Sequence, residues 1–119
     1  MRTADFELRV PLMSKPRPRM PPGGGRPYLP KVYMDWRANV RSILAEWWTI
    51  PPLPRVNCLC LVFRGPARGD PDNLAGAVLD AGNGLIWSDD RVGVMPVLAV
   101  RWTKSPRTNQ SIYIKVVWE

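Results

Sequence analysis

The sequence predicts an α+β fold: one domain in which a mixed β-sheet carries two main helices in the order βαβαββ. Three observations predict it. Apolar residues alternate near the N-terminus, two stretches repeat them at helical spacing, and β-rich segments occupy the C-terminal third. At 119 residues the chain has room for one compact domain, taken as residues 1–119, and little for a second. It contains no internal repeat.

Phe6, Leu8, Val10 and Leu12 alternate with Glu7, Arg9 and Pro11, the period of a strand with one buried face. Residues 15–31 hold too many prolines and glycines for helix or inner strand. They carry Lys15, Arg17, Arg19, Arg26 and Lys31 and no acid, so an extended, mobile basic loop is expected. From Tyr33 to Trp48, Trp36, Val40, Ile43, Leu44 and Trp47 recur at intervals of three and four, one stripe of an amphipathic helix that Pro51 and Pro52 stop. Residues 55–64 are apolar at nearly every position, which suggests a central strand covered on both faces.

Asp70 then offers a cap, Pro71 a first helical residue and Asp72 an acid in the first turn. Leu74, Ala77, Val78 and Ala81 follow, predicting a helix over 71–81 that Gly82 and Gly84 end. Residues 92–102 and 111–118 read as strands joined by a polar turn, a closing hairpin in which Pro96 marks an edge or bulge.

Lys and Arg outnumber Asp and Glu by 17 to 10, a net charge of +7, which points to a polyanionic partner such as nucleic acid. Histidine is absent, so imidazole bases, nucleophiles and metal ligands are excluded. The only cysteines, Cys58 and Cys60, are too few for a zinc site. In an extended segment they stand about 7 Å apart, beyond comfortable disulfide reach, and read as buried, inert thiols of a reducing compartment. No apolar run approaches the ~18 residues of a membrane span, and a soluble cytoplasmic protein is expected. Gly23-Gly24-Gly25 lacks the spacing of a phosphate loop.

The charge inverts over residues 70–90. Asp70, Asp72, Asp80, Asp89 and Asp90 are half of all the acids, and the segment holds no Lys or Arg. Capping accounts for Asp70 and Asp72 at about 0.3–1 kcal/mol each, and turn chemistry can account for Asp89 and Asp90. In a protein that otherwise attracts phosphate, however, a carboxylate patch repels the ligand unless a divalent cation bridges the two. Hard oxygen ligands suit Mg²⁺ or Mn²⁺, and phosphodiester cleavage with such an ion needs no histidine. Convergence requires the helix start to meet a third carboxylate at the start of the following strand.

Gly69-Asp70-Pro71-Asp72-Asn73-Leu74, Ala77-Val78-Leu79-Asp80-Ala81 and Trp87-Ser88-Asp89-Asp90, in that order and spacing, resemble the RusA family of Holliday junction resolvases. The resemblance implies a crossover junction endodeoxyribonuclease of DNA recombination and repair. Such an enzyme uses Mg²⁺, with Mn²⁺ able to substitute, and cuts four-way DNA junctions by paired symmetric nicks as a homodimer. It also implies a bacterial cell or its phage as source. Matched position by position, Asp70, Asp72 and Asp90 are the implied catalytic metal ligands. Asn73, Asp89 and Arg91 are supporting residues, and Asp80 is structural, bonded to backbone or to a basic group. The family pattern usually has a catalytic lysine four residues after the second aspartate, where this chain has Gly76; Arg91, Arg68 and Lys104 are candidates to substitute.

Lys15, Arg17, Arg19, Arg26 and Lys31 are expected to contact phosphates of the junction arms, giving affinity without sequence information. Tyr28 is the favoured residue for stacking on a splayed base; Tyr33 is another, while Trp36 and Trp47 fit the helix core. Two alternatives to the nuclease remain at this point: a catalytically weakened junction-binding protein, and a general basic nucleic-acid-binding module whose aspartates only cap and solubilise.

Overall fold

The computed structural model describes residues 1–119. Its elements are β1 (Arg2–Leu8), α1 (Lys31–Trp47), β2 (Cys58–Gly65), α2 (Pro71–Gly82), β3 (Leu98–Lys104) and β4 (Ser111–Trp118), the expected βαβαββ order. The mixed sheet runs β1-β4-β2-β3, with β4 antiparallel to both its neighbours and β3 parallel to β2.

That strand order corrects the closing hairpin. The α2 crossover delivers β3 to one edge of β2, so the chain passes over the end of β2 and β4 fills the other edge. Gly65 lies where the chain crosses. Its carbonyl accepts from Ser105 N–H at 3.1 Å, and a β-carbon there would stand 2.8 Å from Leu12 Cδ1. Residues 92–97 are not strand, and β3 begins only after Pro96.

One face of the sheet is buried. Leu8, Ile112 and Phe63 form a buried row in register across β1, β4 and β2 that meets the exposed Trp102 on β3, and Leu59, Leu61, Ile114 and Val116 extend the buried face beneath the helices. Each such fully buried apolar side chain contributes about 1.5–3 kcal/mol. The helices add Tyr33, Trp36, Val40 and Leu44 from α1 and Leu74, Ala77, Val78 and Ala81 from α2.

The other face carries no helix, which corrects the expectation that β2 is covered on both sides. Cys58, Cys60 and Val62 are half-buried there, and Arg64 is exposed. The cysteine sulfurs lean together to 3.6 Å, closer than backbone spacing alone gives. They are free thiols, half-buried rather than buried. Burial, followed by the bond to Cys60, pushes the Cys58 thiol pKa up.

Several boundaries move for local reasons. β1 ends at Leu8; Val10 and Leu12 still turn inward, but off the ladder, as Trp36 Nε1–H bonds the Pro11 carbonyl at 2.9 Å. α1 ends at Trp47, before the prolines are reached. The basic segment is not simply extended. Arg19 and Tyr28 exchange backbone hydrogen bonds of 2.7 and 2.8 Å across a turn in which Gly23, Gly24 and Gly25 all have positive φ.

Candidate active site

α2 sets the first two carboxylates. Gly69, at φ +76°, turns the chain where a β-carbon would run into Ser14 Oγ. Asp70 follows in extended conformation as the N-cap residue, then Pro71 opens the helix. The Asp70 carboxylate makes no capping hydrogen bond to the helix amides, so the capping account of this residue is not realised. Asp72 stands in the first turn, and both side chains are exposed. Neither enters a salt bridge, and nor does Asp90.

The far end of α2 is anchored. Arg41 of α1 donates to the carbonyls of Ala81 at 3.2 Å and Asn83 at 2.6 Å, satisfying groups that the helix end leaves open. Trp87 is fully buried, and its ring would lie 2.5 Å from a β-carbon on Gly82. Ser88 N–H bonds the Leu53 carbonyl at 2.9 Å. Beyond it, the half-buried Asp89 and the exposed Asp90 lead into the turn at Arg91, whose carbonyl accepts from Val94 and Met95 at 3.0 and 2.9 Å. Asp90 thus stands in the loop after α2, not at a strand start; β3 begins eight residues on.

The supporting residues divide. Asp89 turns its carboxylate to its own loop, accepting from Asp90 N–H at 2.8 Å and standing 3.9 Å from Arg91 Nε. Asn73 contributes its backbone carbonyl, which accepts from Lys15 N–H at 2.8 Å. No three Asp, Glu or Cys side chains are gathered closely enough to enclose an ion. Mg²⁺ is ordinarily held by one or two carboxylates together with waters and substrate phosphate, and the free Asp70 and Asp72 carboxylates fit that donor set.

Asp80 is the structural centre of this face. It accepts from Tyr33 Oη at 2.6 Å and from Lys15 Nζ at 3.0 Å, with Arg37 Nη1 at 4.0 Å. Burial first, then the bond to Asp80, push the Tyr33 hydroxyl pKa well up. Tyr33 is 1% exposed, which removes it as a stacking residue; Tyr28 remains exposed. Asp72, Gly76 and Asp80 lie one turn apart on one stripe of α2. Over Gly76 lies the stem of Lys15, not Arg68, Arg91 or Lys104.

Of the other cations, Lys31 pairs with Asp35 at 2.8 Å, and that bond, with the charge of Asp35, raises its pKa. Arg17, Arg19 and Arg26 are exposed without carboxylate partners. A groove of about 720 Å³ opens beside Asp70, with Ser14, Gly69 and Leu74 at its floor and Arg68 and Arg107 among its lining. Sequence reasoning missed Arg107 and Trp102 as site residues. Arg107 lies in the turn that crosses the end of β2, and Trp102 on β3, which the α2 crossover pairs with β2, where it ends a smaller cleft beside Pro71.

Residues 10–116 match the model of the family endodeoxyribonuclease RusA. The chain belongs to the RusA family. The match spans both helices, β2, β3 and all but the last two residues of β4, so in this RusA-family domain the carboxylates, the basic segment and the groove all lie within the shared region. The family is one of endodeoxyribonucleases, and the net positive charge and free carboxylates of this member accord with it. No curated protein matches the chain. No helix is long and apolar enough to cross a membrane.

Proposed function

We propose that this protein is a Mg²⁺-dependent, structure-selective endonuclease that resolves four-way DNA junctions, acting as a homodimer whose twofold symmetry matches that of its substrate. The observation that carries the reading is the pair of exposed, unpaired carboxylates, Asp70 and Asp72, beside a groove lined by arginines. Uncompensated acids at that place repel DNA, whereas acids that share a cation with a phosphate recruit it.

Asp70 and Asp72 are the residues that would hold the ion, and Asp90, on the following loop and not gathered with them in the structure, would have to close on it as the third. A divalent cation supplies charge to the scissile phosphate and lowers the pKa of the attacking water. The protein's own groups do the rest. Arg68 and Arg107 draw the strand into the groove, Arg17, Arg19 and Arg26 hold the arms by their phosphates, and Lys15 stands over Gly76 as the cation of the α2 face.

Gly76 favours a second reading, a catalytically weakened junction-binding protein, because it carries no side chain of its own. Cleavage of a synthetic four-way junction with and without Mg²⁺, repeated with Asp72→Asn, separates the readings. Metal-dependent cutting that the substitution abolishes supports the nuclease. Tight junction-selective binding without cutting supports the second reading, and indifference to DNA structure supports a general nucleic-acid-binding module.

A further inference from the structure

We infer that the cleft between Trp102 and the first turn of α2 takes one unpaired nucleobase, stacked on the Trp102 indole, while Arg68 and Arg107 hold the adjoining phosphates. This rests on the reading of the protein as acting on branched DNA, and it adds a place for the base that such a substrate exposes.

Two adjoining cavities share Arg68, Gly69 and Leu74. The larger, about 720 Å³, extends towards Arg107; the smaller, about 220 Å³, ends on Trp102 beside Pro71. The larger lies within the ~300–1,000 Å³ of ordinary ligand sites. Neither is lined by an acid, so the charge favours an anion-bearing occupant.

Trp102 is 38% exposed, whereas the other five of the six tryptophans are buried or half-buried. It ends the buried row through Phe63 on β3, an edge strand with no further strand beyond it. It therefore stands at the sheet edge with part of its surface open to solvent. A base within a duplex is stacked on both faces and offers only its edges in the grooves, so a ring face is available only where stacking is interrupted, as beside an unpaired nucleotide at a branch.

Gly69 and Pro71, the neighbours of Asp70, both line the smaller cleft. A base seated there leaves its own backbone beside the candidate carboxylates. The cleft offers one side chain, Arg68, that could reach a base edge, and that guanidinium is assigned to phosphate. Apart from Arg68 and the indole of Trp102 the cleft's lining side chains are apolar, and in the larger cavity the Gln110 amide is turned to the chain itself, accepting from Leu12 N–H at 2.9 Å and donating to the Arg107 carbonyl at 3.0 Å. Stacking without edge contacts tolerates any base. The cleft selects for unpaired structure, not for sequence.

The test is a cycle of binding measurements without added metal, using the full chain and a four-way junction that carries one unpaired nucleotide at the branch. Trp102→Ala is expected to weaken binding roughly tenfold or more, Trp102→Phe to stay within about threefold, and both to bind linear duplex as the parent does. Replacing the unpaired base by an abasic site should cost the parent as much as Trp102→Ala does, and cost Trp102→Ala nothing further. Additive losses would overturn the inference. Should Trp102→Ala fail to fold, irradiating the unsubstituted protein on a junction with 5-iodouracil at the unpaired position decides the matter. A crosslink to the peptide containing Trp102 supports the cleft, and a crosslink elsewhere, as at Tyr28, or none, overturns it. Failure of junction cleavage alongside a Trp102 crosslink sinks the nuclease reading and spares the cleft. Normal cleavage with additive losses does the reverse.

Discussion

The stem of Lys15 lies across Gly76, its Cδ 3.3 Å from where a β-carbon on that glycine would stand, and its ammonium bonds Asp80 at 3.0 Å. A lysine from the basic segment thus occupies the helix face one turn from Asp72. A glycine inside a helix costs about 1 kcal/mol against alanine, and here its absent side chain makes room for another's.

Lys15→Ala should therefore slow single-turnover cleavage of a four-way junction by roughly tenfold to a hundredfold, with the far-ultraviolet circular dichroism unchanged. Gly76→Lys in that background, which mounts an ammonium on the helix itself, should recover most of the rate. Equal rates for Lys15→Ala and the parent would remove Lys15 from the reaction.

Asp72→Asn is expected to abolish Mg²⁺-dependent cleavage and to leave junction binding in the absence of metal unweakened, because it removes a negative charge from a surface that meets phosphate. Gel-shift titration in EDTA checks the second half, and weakened binding would contradict it.

Arg17, Arg19 and Arg26 should each neutralise one phosphate. Replacing all three by Gln should flatten the slope of log K against log[salt] by about 2–3, at about 0.9 per contact, in fluorescence-anisotropy titrations. An unchanged slope would make the segment a solvated linker.

Tyr33 gives the fold an alkaline limit. Burial, and then the bond to Asp80, raise its folded-state pKa above the ordinary value of 10.0. The associated stability is complete below that pH and is lost as pH rises beyond it. Urea midpoints should fall between about pH 10 and pH 12, and Tyr33→Phe should fall less over the same interval. Tyr113, its pKa raised by its bond to Asp5, leaves a residual decline in both.

Gly82→Ala should destabilise by about 1–3 kcal/mol, since its β-carbon would meet the buried Trp87 ring at 2.5–3.0 Å. Thermal unfolding measures this directly.

The periodic elements were legible in the sequence because each is dictated locally. The stripe Trp36, Val40, Leu44 and the Asp70-Pro71 start needed only neighbours three and four residues away. Strand pairing was not legible. The polar turn before Ser111 fits a hairpin as well as it fits a crossing over Gly65, and only the three-dimensional course of α2 decides between them. At the site, Asp70, Asp72 and Asp90 are candidates named by their resemblance to a family pattern, and the place of Asp90 in a loop rather than at a strand start was not legible in that pattern. The placing of Lys15 over Gly76, and of Trp102 and Arg107 around the groove, depends on contacts between residues distant along the chain, which leave no spacing to read.

The account stands on free carboxylates from two segments acting on one divalent ion at the DNA backbone. Anomalous scattering from Mn²⁺ in crystals of the protein with an uncut junction would locate that ion. We expect a single peak with oxygens of Asp70 or Asp72 and of Asp90 at about 2.1–2.2 Å and a junction phosphate on its open side. Mn²⁺ bound elsewhere, or a peak that Asp90 cannot reach even through one water, would contradict the account.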